Sequence, residues 1–199
     1  MAPQLYLITP AAADPVTFPA TLMAVLNAGA VSAILVRRGS ADEATYARLA
    51  AAVINVGQGA GCAVLLEDDV ALVRQLGADG VHVNGGAAAL KDAVAALKPA
   101  AIVGAGKVGS RHDAMTFGEM DVDYLFFGPV DGAADPLAAE LAEWWADTFE
   151  IPAVLSDPAA TAETDALGAE FLALSTSIWS AADPAAAMAA IAATLGENA

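Results

Sequence analysis

The sequence predicts an α/β fold, a single (β/α)8 TIM barrel spanning residues 1–199, on three observations. Eight short apolar runs recur along the chain, each is followed by an alanine-rich helical stretch, and several of those stretches close on glycine, a small residue and an acid. The runs are continuous rather than alternating, as expected for parallel strands covered on both faces. At 199 residues such a barrel is compact, and an open doubly wound sheet is the alternative.

Taken in order, the runs are Leu5–Ile8, Ala33–Val36, Ala63–Leu66, Gly80–Val83, Ala101–Val103, Tyr124–Phe127, Ala153–Leu155 and Phe171–Leu174. Gly29-Ala30, Gly77-Ala78-Asp79 and Gly168-Ala169-Glu170 each put glycine where a left-handed cap stops a helix just before the next strand. Asp14-Pro15, Asp135-Pro136, Asp157-Pro158 and Asp183-Pro184 read as helix starts, the acid capping and proline taking the first helical position. No linker or break in composition marks a second domain, and Pro129 to Pro136 is a loop of small residues.

Composition narrows the function classes. Hydrophobic residues are 57% of the chain, enough for a self-sufficient core, and much of this is alanine, which lets helices lie close to a sheet. No apolar run approaches the ~20 residues that span a bilayer, and Met1 to Pro10 lacks the basic opening of a secretory signal, so a cytoplasmic protein with no membrane partner is expected. The net charge of −16 disfavours a grip on nucleic acid, which runs on clustered Lys and Arg. Small molecules are the expected partners. The single Cys62 opens an apolar run and reads as a small buried hydrophobe.

Of only eight Lys and Arg residues, Arg37, Arg38, Lys107 and Arg111 follow the second and fifth strands. In a parallel barrel those positions share the C-terminal rim, where active sites lie. Cations gathered there in so acidic a chain imply an anionic ligand, with Arg the better match to phosphate or carboxylate oxygens, unless they merely pair with neighbouring acids. After the eighth strand come Ser175, Thr176 and Ser177, which read either as a phosphate-binding turn or as a hydroxyl-rich cap. Glu67, Asp68 and Asp69 follow the third strand, where adjacent carboxylates suit Mg²⁺, while Asp68 or Asp69 also suits the cap of the helix starting at Val70. His82 lies within an apolar strand and reads as a core residue; His112, in the polar loop Lys107 to Asp113, is the better candidate for acid or base work.

These motifs have a family likeness. Asp68-Asp69-Val70, Gly77-Ala78-Asp79-Gly80-Val81-His82, Asp123-Tyr124 with Gly128-Pro129, and Gly168-Ala169 before Phe171 to Ile178 together resemble thiamine phosphate synthase and its relative thiazole tautomerase. The resemblance covers nearly the whole chain and implies a (β/α)8 barrel in thiamine biosynthesis. It implies coupling of hydroxymethylpyrimidine diphosphate to a thiazole phosphate, with release of pyrophosphate and with Mg²⁺ as cofactor. The resemblance also marks departures. Of the synthase's Gln-x-Arg-x-Lys only Arg37 remains, its neighbours being Leu35 and Gly39; Asn-Asp becomes Glu67-Asp68; the second metal aspartate falls on Ala87. Thr-x-Thr-Lys is absent beyond the sixth strand, and Ser156-Asp157 replaces the glycine pair of the seventh. The tautomerase is metal-free and would use His112, within Ser110-Arg111-His112, as its proton shuttle. A third reading is a non-catalytic barrel that binds phosphorylated ligands. Trp144, Trp145 and Phe149 on the sixth helix suggest an aromatic patch suited to a homodimer interface.

Overall fold

Strands form where the apolar runs lie: β1 (Gln4–Ile8), β2 (Ala33–Val36), β3 (Ala63–Glu67), β4 (Gly80–Val83), β5 (Ile102–Ala105), β6 (Tyr124–Phe127), β7 (Ala153–Ser156) and β8 (Phe171–Leu174). They pair in parallel in sequence order, and β8 returns to β1 through Gln4 to Leu7 against Phe171 to Leu174, closing the barrel. The computed structural model describes residues 2–197; Met1, Asn198 and Ala199, part of the single-domain reading, lie outside the described residues.

Alternation along each strand divides the core in two. Leu5, Leu7, Ile34, Val36, Val64 and Leu66 face the helical layer, whereas Tyr6, Ile8, Leu35, Leu65, Tyr124, Phe126 and Val154 fill the barrel interior. The helices are α1 (Phe18–Ala28), α2 (Glu43–Gly59), α3 (Val70–Leu76), α4 (Gly86–Leu97), α5 (Arg111–Gly118), α6 (Pro136–Thr148), a single turn α7 (Thr176–Trp179) and α8 (Pro184–Glu197). Asp135 caps α6 by accepting from Leu137 N–H, Asp69 caps α3 by accepting from Leu72 N–H, and Gly77 ends α3 in the left-handed conformation. Cys62 is buried, its thiol directed at the Val31 carbonyl.

Several boundaries differ from the sequence reading for local reasons. Asp14 spends its carboxylate on the Val16 and Thr17 N–H groups of a turn, so α1 starts only at Phe18. Gly29 is extended rather than left-handed. Ala101 belongs to the turn closing α4, its N–H bound to the Leu97 carbonyl, which shifts β5 to Ile102–Ala105. No helix forms between β7 and β8, so Asp157-Pro158 and Gly168 are turn residues rather than helix ends. There Asp157, Thr161, Thr164 and Asp165 side chains accept nearby backbone N–H groups, offering the chain an alternative to helical bonding.

The aromatic residues of α6 are spent within one chain. Trp145 is buried, stacks on Phe149 and donates its indole N–H to the Ile151 carbonyl at 2.8 Å. Trp144 is covered by the Arg111 guanidinium, 4.6 Å from the ring centre, so the homodimer expectation loses the broad patch it rested on. Among the described residues no helix is long and apolar enough to cross a membrane.

Candidate active site

The strand ends place Arg37, Arg38, Glu67, Asp68, Asn84, Lys107, Ser156 and Ser175 around the C-terminal mouth. Glu67 is the last residue of β3 and is gripped at both oxygens: Oε2 accepts from Arg38 N–H at 2.8 Å and Oε1 from the Asn84 side-chain amide at 3.2 Å. Behind it, the Tyr46 hydroxyl accepts from Glu67 N–H and donates to the Val36 carbonyl, tying β2 to β3. Asp68 follows with φ of 53°, a left-handed conformation that a non-glycine residue holds only under constraint. The constraint is visible: Asp68 Oδ1 accepts from Asn84 N–H at 2.6 Å. Lys107, just after β5, has the same φ of 53°.

Arg37 leaves β2 with its backbone N–H on Thr9 Oγ1 and its guanidinium on Asp131 of the β6–α6 loop at 2.6 Å. Its side chain is 13% exposed, and its buried Nε has no hydrogen-bond partner. The Ser177 hydroxyl is likewise buried without a partner, although its N–H is taken by the Pro158 carbonyl. Thr176 is exposed and Ser175 buried. At β7 the Asp157 carboxylate is committed to Ala159 N–H, and the Ser156 hydroxyl donates to the Pro129 carbonyl at 2.6 Å. Lys107, Gly109, Gly128, Pro129 and Asp135 line a cleft of about 380 Å³ between the β5 and β6 loops.

Not every rim candidate reaches the mouth. Arg111 is exposed at the start of α5, its guanidinium 4.6 Å from the centre of the Trp144 ring of α6. His112 is exposed in the first turn of α5 and its ring makes no hydrogen bond. Ala87 sits in the first turn of α4 and packs against the apolar core.

The histidine that does lie under the mouth is His82. It is fully buried, with Nδ1 at 2.9 Å from the Tyr124 hydroxyl, which in turn lies 3.0 Å from that of Tyr6. Space for this row exists because β5 and the residue after it carry glycine: a Cβ at Gly104 would run into the Tyr124 ring, and one at Gly106 into His82 Nε2 and Asn84 Oδ1. Burial lowers the His82 pKa from 6.5 to about 4 against a smaller raising effect of Asn84, so the ring is neutral at neutral pH. The unfolded chain therefore binds a proton that the folded chain refuses. The stabilisation is complete above 6.5 and is lost as pH falls towards 4. We expect about 3 kcal/mol of stability to disappear across that window in urea titrations, and His82→Gln to flatten this part of the profile; an unchanged slope in the variant would show that His82 is not the source.

A separate apolar pocket of about 290 Å³, lined by Tyr6, Ala33, Ala63, Leu65, Tyr124 and Phe171, opens at the opposite, N-terminal mouth. No Lys or Arg lines it, which sets it apart from the charged rim.

Among the described residues no group of three or more His, Cys, Asp and Glu is arranged to hold a metal. Glu67 has a donor on each oxygen, whereas Asp68 Oδ2 is free of protein partners. That donor set fits an ion held by one or two carboxylates and otherwise by water and ligand phosphates, which is how Mg²⁺ is commonly bound.

A closed parallel barrel with an arginine, strained and clamped acids and hydroxyl groups at its C-terminal mouth defines a (β/α)8-barrel enzyme. The chain belongs to the thiamine monophosphate synthase family, whose model matches residues 5–178. It is 38% identical over 201 residues to the thiamine-phosphate synthase of Hyphomonas neptunium, covering 94% of this chain and 91% of that protein. The thiamine-phosphate synthase of Rhodospirillum centenum is 36% identical, with 94% of each chain covered. In three dimensions the chain matches thiamine phosphate pyrophosphorylase from Pyrococcus furiosus with a TM-score of 0.83 at 20% identity, covering 98% and 96% of the two chains.

Asn84 and Tyr46 are the site residues that sequence reasoning missed. Asn84 stands at the end of a strand, the one available signal, but its neighbours Gly85 and Gly86 read only as a turn.

Proposed function

We propose that this chain is a thiamine-phosphate synthase, a transferase that joins the pyrimidinylmethyl group of hydroxymethylpyrimidine diphosphate to the ring nitrogen of a thiazole phosphate. The methylene–oxygen bond to the diphosphate breaks, pyrophosphate leaves with the electron pair, and the carbon–nitrogen bond forms. The observation that carries this reading is similarity over 94% of the chain to proteins named for that reaction.

The residues divide the work in the same terms. Arg37, with a buried Nε lacking a partner, receives diphosphate or phosphate oxygens, and Lys107 adds positive charge from across the mouth. Ser175, Thr176 and Ser177 supply hydroxyl donors to a phosphate, Ser177 Oγ being the buried one without a partner. Asp68, with Glu67 beside it, would hold Mg²⁺, which when bound supplies positive charge to the departing diphosphate. The negative potential of the two acids also favours the cationic methylene of a dissociative transition state. On this reading the enzyme works on small phosphorylated substrates in the cytoplasm.

The test is thiamine phosphate formation from both substrates, with Mg²⁺ and with the metal chelated. Product that depends on Mg²⁺ is the expected result. Isomerisation of the thiazole phosphate without metal, or binding of either substrate without turnover, would overturn the reading. The tautomerase alternative draws no support from His112, which is exposed and hydrogen-bonded to nothing.

A further inference from the structure

Glu67 and Asp68 are adjacent in sequence, yet one residue from another strand touches both. Asn84, immediately after β4, donates its backbone N–H to Asp68 Oδ1 at 2.6 Å and its side-chain amide to Glu67 Oε1 at 3.2 Å. A glutamate alone samples many rotamers, and freezing them opposes any fixed orientation. With Arg38 N–H on Oε2 and Asn84 Nδ2 on Oε1, the Glu67 carboxylate is held at both ends. The Asp68 carboxylate is held by the backbone N–H of the same asparagine, while the Asp68 backbone N–H is bound to the His82 carbonyl.

The asparagine has its own support. With Nδ2 committed to Glu67, Oδ1 faces His82 Nε2 across the space left by Gly106. No hydrogen bond of good geometry closes there, leaving Nε2 without a partner in this state. With the ring proton on Nε2, toward the Asn84 carbonyl oxygen, Nδ1 accepts from the Tyr124 hydroxyl 2.9 Å away. Tyr124 oxygen then accepts from Tyr6. The buried polar row Tyr6, Tyr124 and His82 thus stands directly behind Asn84 and the carboxylates at the mouth.

We propose that Asn84 is a positioning residue for the synthase reaction, its two amides fixing Glu67 and Asp68 against the buried row formed by Tyr6, Tyr124 and His82. This rests on the reading that the two acids face the diphosphate and its metal. Ala87 contributes no carboxylate, so the orientation of the remaining pair carries more of the affinity than it would in a site with a further acid.

The experiment compares Asn84→Ala and Asn84→Leu with the unaltered enzyme and with Asp68→Asn. Mn²⁺ binding in the presence of inorganic pyrophosphate is followed by electron paramagnetic resonance, alongside kcat, the KM for thiazole phosphate, and thermal unfolding. Leucine keeps the branched shape of asparagine and lacks the side-chain donor to Glu67, while the backbone N–H to Asp68 is retained in both variants. Both Asn84 variants are expected to bind Mn²⁺ about 10- to 100-fold more weakly and to lose kcat by a similar factor, the usual cost of removing a group that orients a metal ligand. KM for thiazole phosphate should stay within about twofold, since none of the displaced groups is assigned to it. If Asn84→Leu binds Mn²⁺ and turns over normally, asparagine only fills space and the proposal is wrong. If Asp68→Asn also binds Mn²⁺ normally, the carboxylate reading itself fails. Loss in Asp68→Asn with full retention in both Asn84 variants overturns the positioning role alone.

Discussion

Asp68→Ala is expected to lower kcat for thiamine phosphate formation by roughly 10²- to 10³-fold, the range seen when one preorganised stabilising group is removed from a reacting site. The structure explains why this residue and not its neighbours. Asp69 is occupied as the cap of α3, and both Glu67 oxygens already accept hydrogen bonds. Of these three adjacent acids, Asp68 is the one with a carboxylate oxygen that has no protein partner and no capping role. Alanine in a left-handed conformation costs roughly 1–2 kcal/mol, so part of any loss in Asp68→Ala would be structural. Asp68→Asn separates the effects, because asparagine tolerates that backbone and keeps the shape. Asp68→Asn should still lose most of this activity, while His112→Ala should change it by no more than about threefold, its ring being exposed and without a partner. The opposite ranking would identify a metal-free proton shuttle: Asp68 dispensable and His112→Ala costing roughly 10²- to 10⁴-fold. Steady-state kinetics on the three variants, with and without Mg²⁺, decides between them.

Arg37→Ala is expected to weaken binding of inorganic pyrophosphate by about 1.5 to 3 kcal/mol, or roughly 10- to 150-fold, the worth of hydrogen bonds to a charged group. In the structure its guanidinium is engaged by Asp131, and that pair is unequal: Arg37 is 13% exposed and Asp131 62%. An exposed carboxylate on a loop is worth at most about 1 kcal/mol to its partner, so an incoming diphosphate displaces it at small cost. Asp131→Ala should accordingly tighten pyrophosphate binding by only a few-fold. The buried Nε of Arg37 gains a partner that Asp131 does not supply. Calorimetry at two salt concentrations checks both variants. Unchanged affinity in Arg37→Ala would remove this residue from the site, and weakened affinity in Asp131→Ala would mean that the carboxylate organises the arginine instead of competing for it.

What the sequence determined by itself is the barrel and the address of its mouth. Continuous apolar runs at Ile34 to Val36, Val64 to Leu66 and Leu125 to Phe127 specify strands buried on both faces, and in a parallel barrel every strand ends at the same rim. Arg37, Glu67, Asp68 and Lys107 were therefore legible as rim residues from strand endings alone. Helix caps with local hydrogen bonds, such as Asp69 and Asp135, were legible for the same reason: donor and acceptor lie within three residues of each other. The turn between β7 and β8 was not, because short-range side-chain bonds from Thr161, Thr164 and Asp165 compete with a helix that composition favours.

Only the tertiary structure decided which rim residues meet. Arg111 and Trp144 are 33 positions apart and nothing local announces their stacking. Arg37 and Asp131, on β2 and β6 loops, meet across the opening. His82 reads in sequence as an isolated polar residue in an apolar strand. Its meaning comes from Tyr6 and Tyr124, brought to it by two other strands, from Asn84 two residues further on, and from the glycines of a third segment. Strand periodicity depends on near neighbours and survives in the sequence; a hydrogen-bond row across a closed barrel depends on strand register and on the space that Gly104 and Gly106 leave, and those exist only once the sheet has closed.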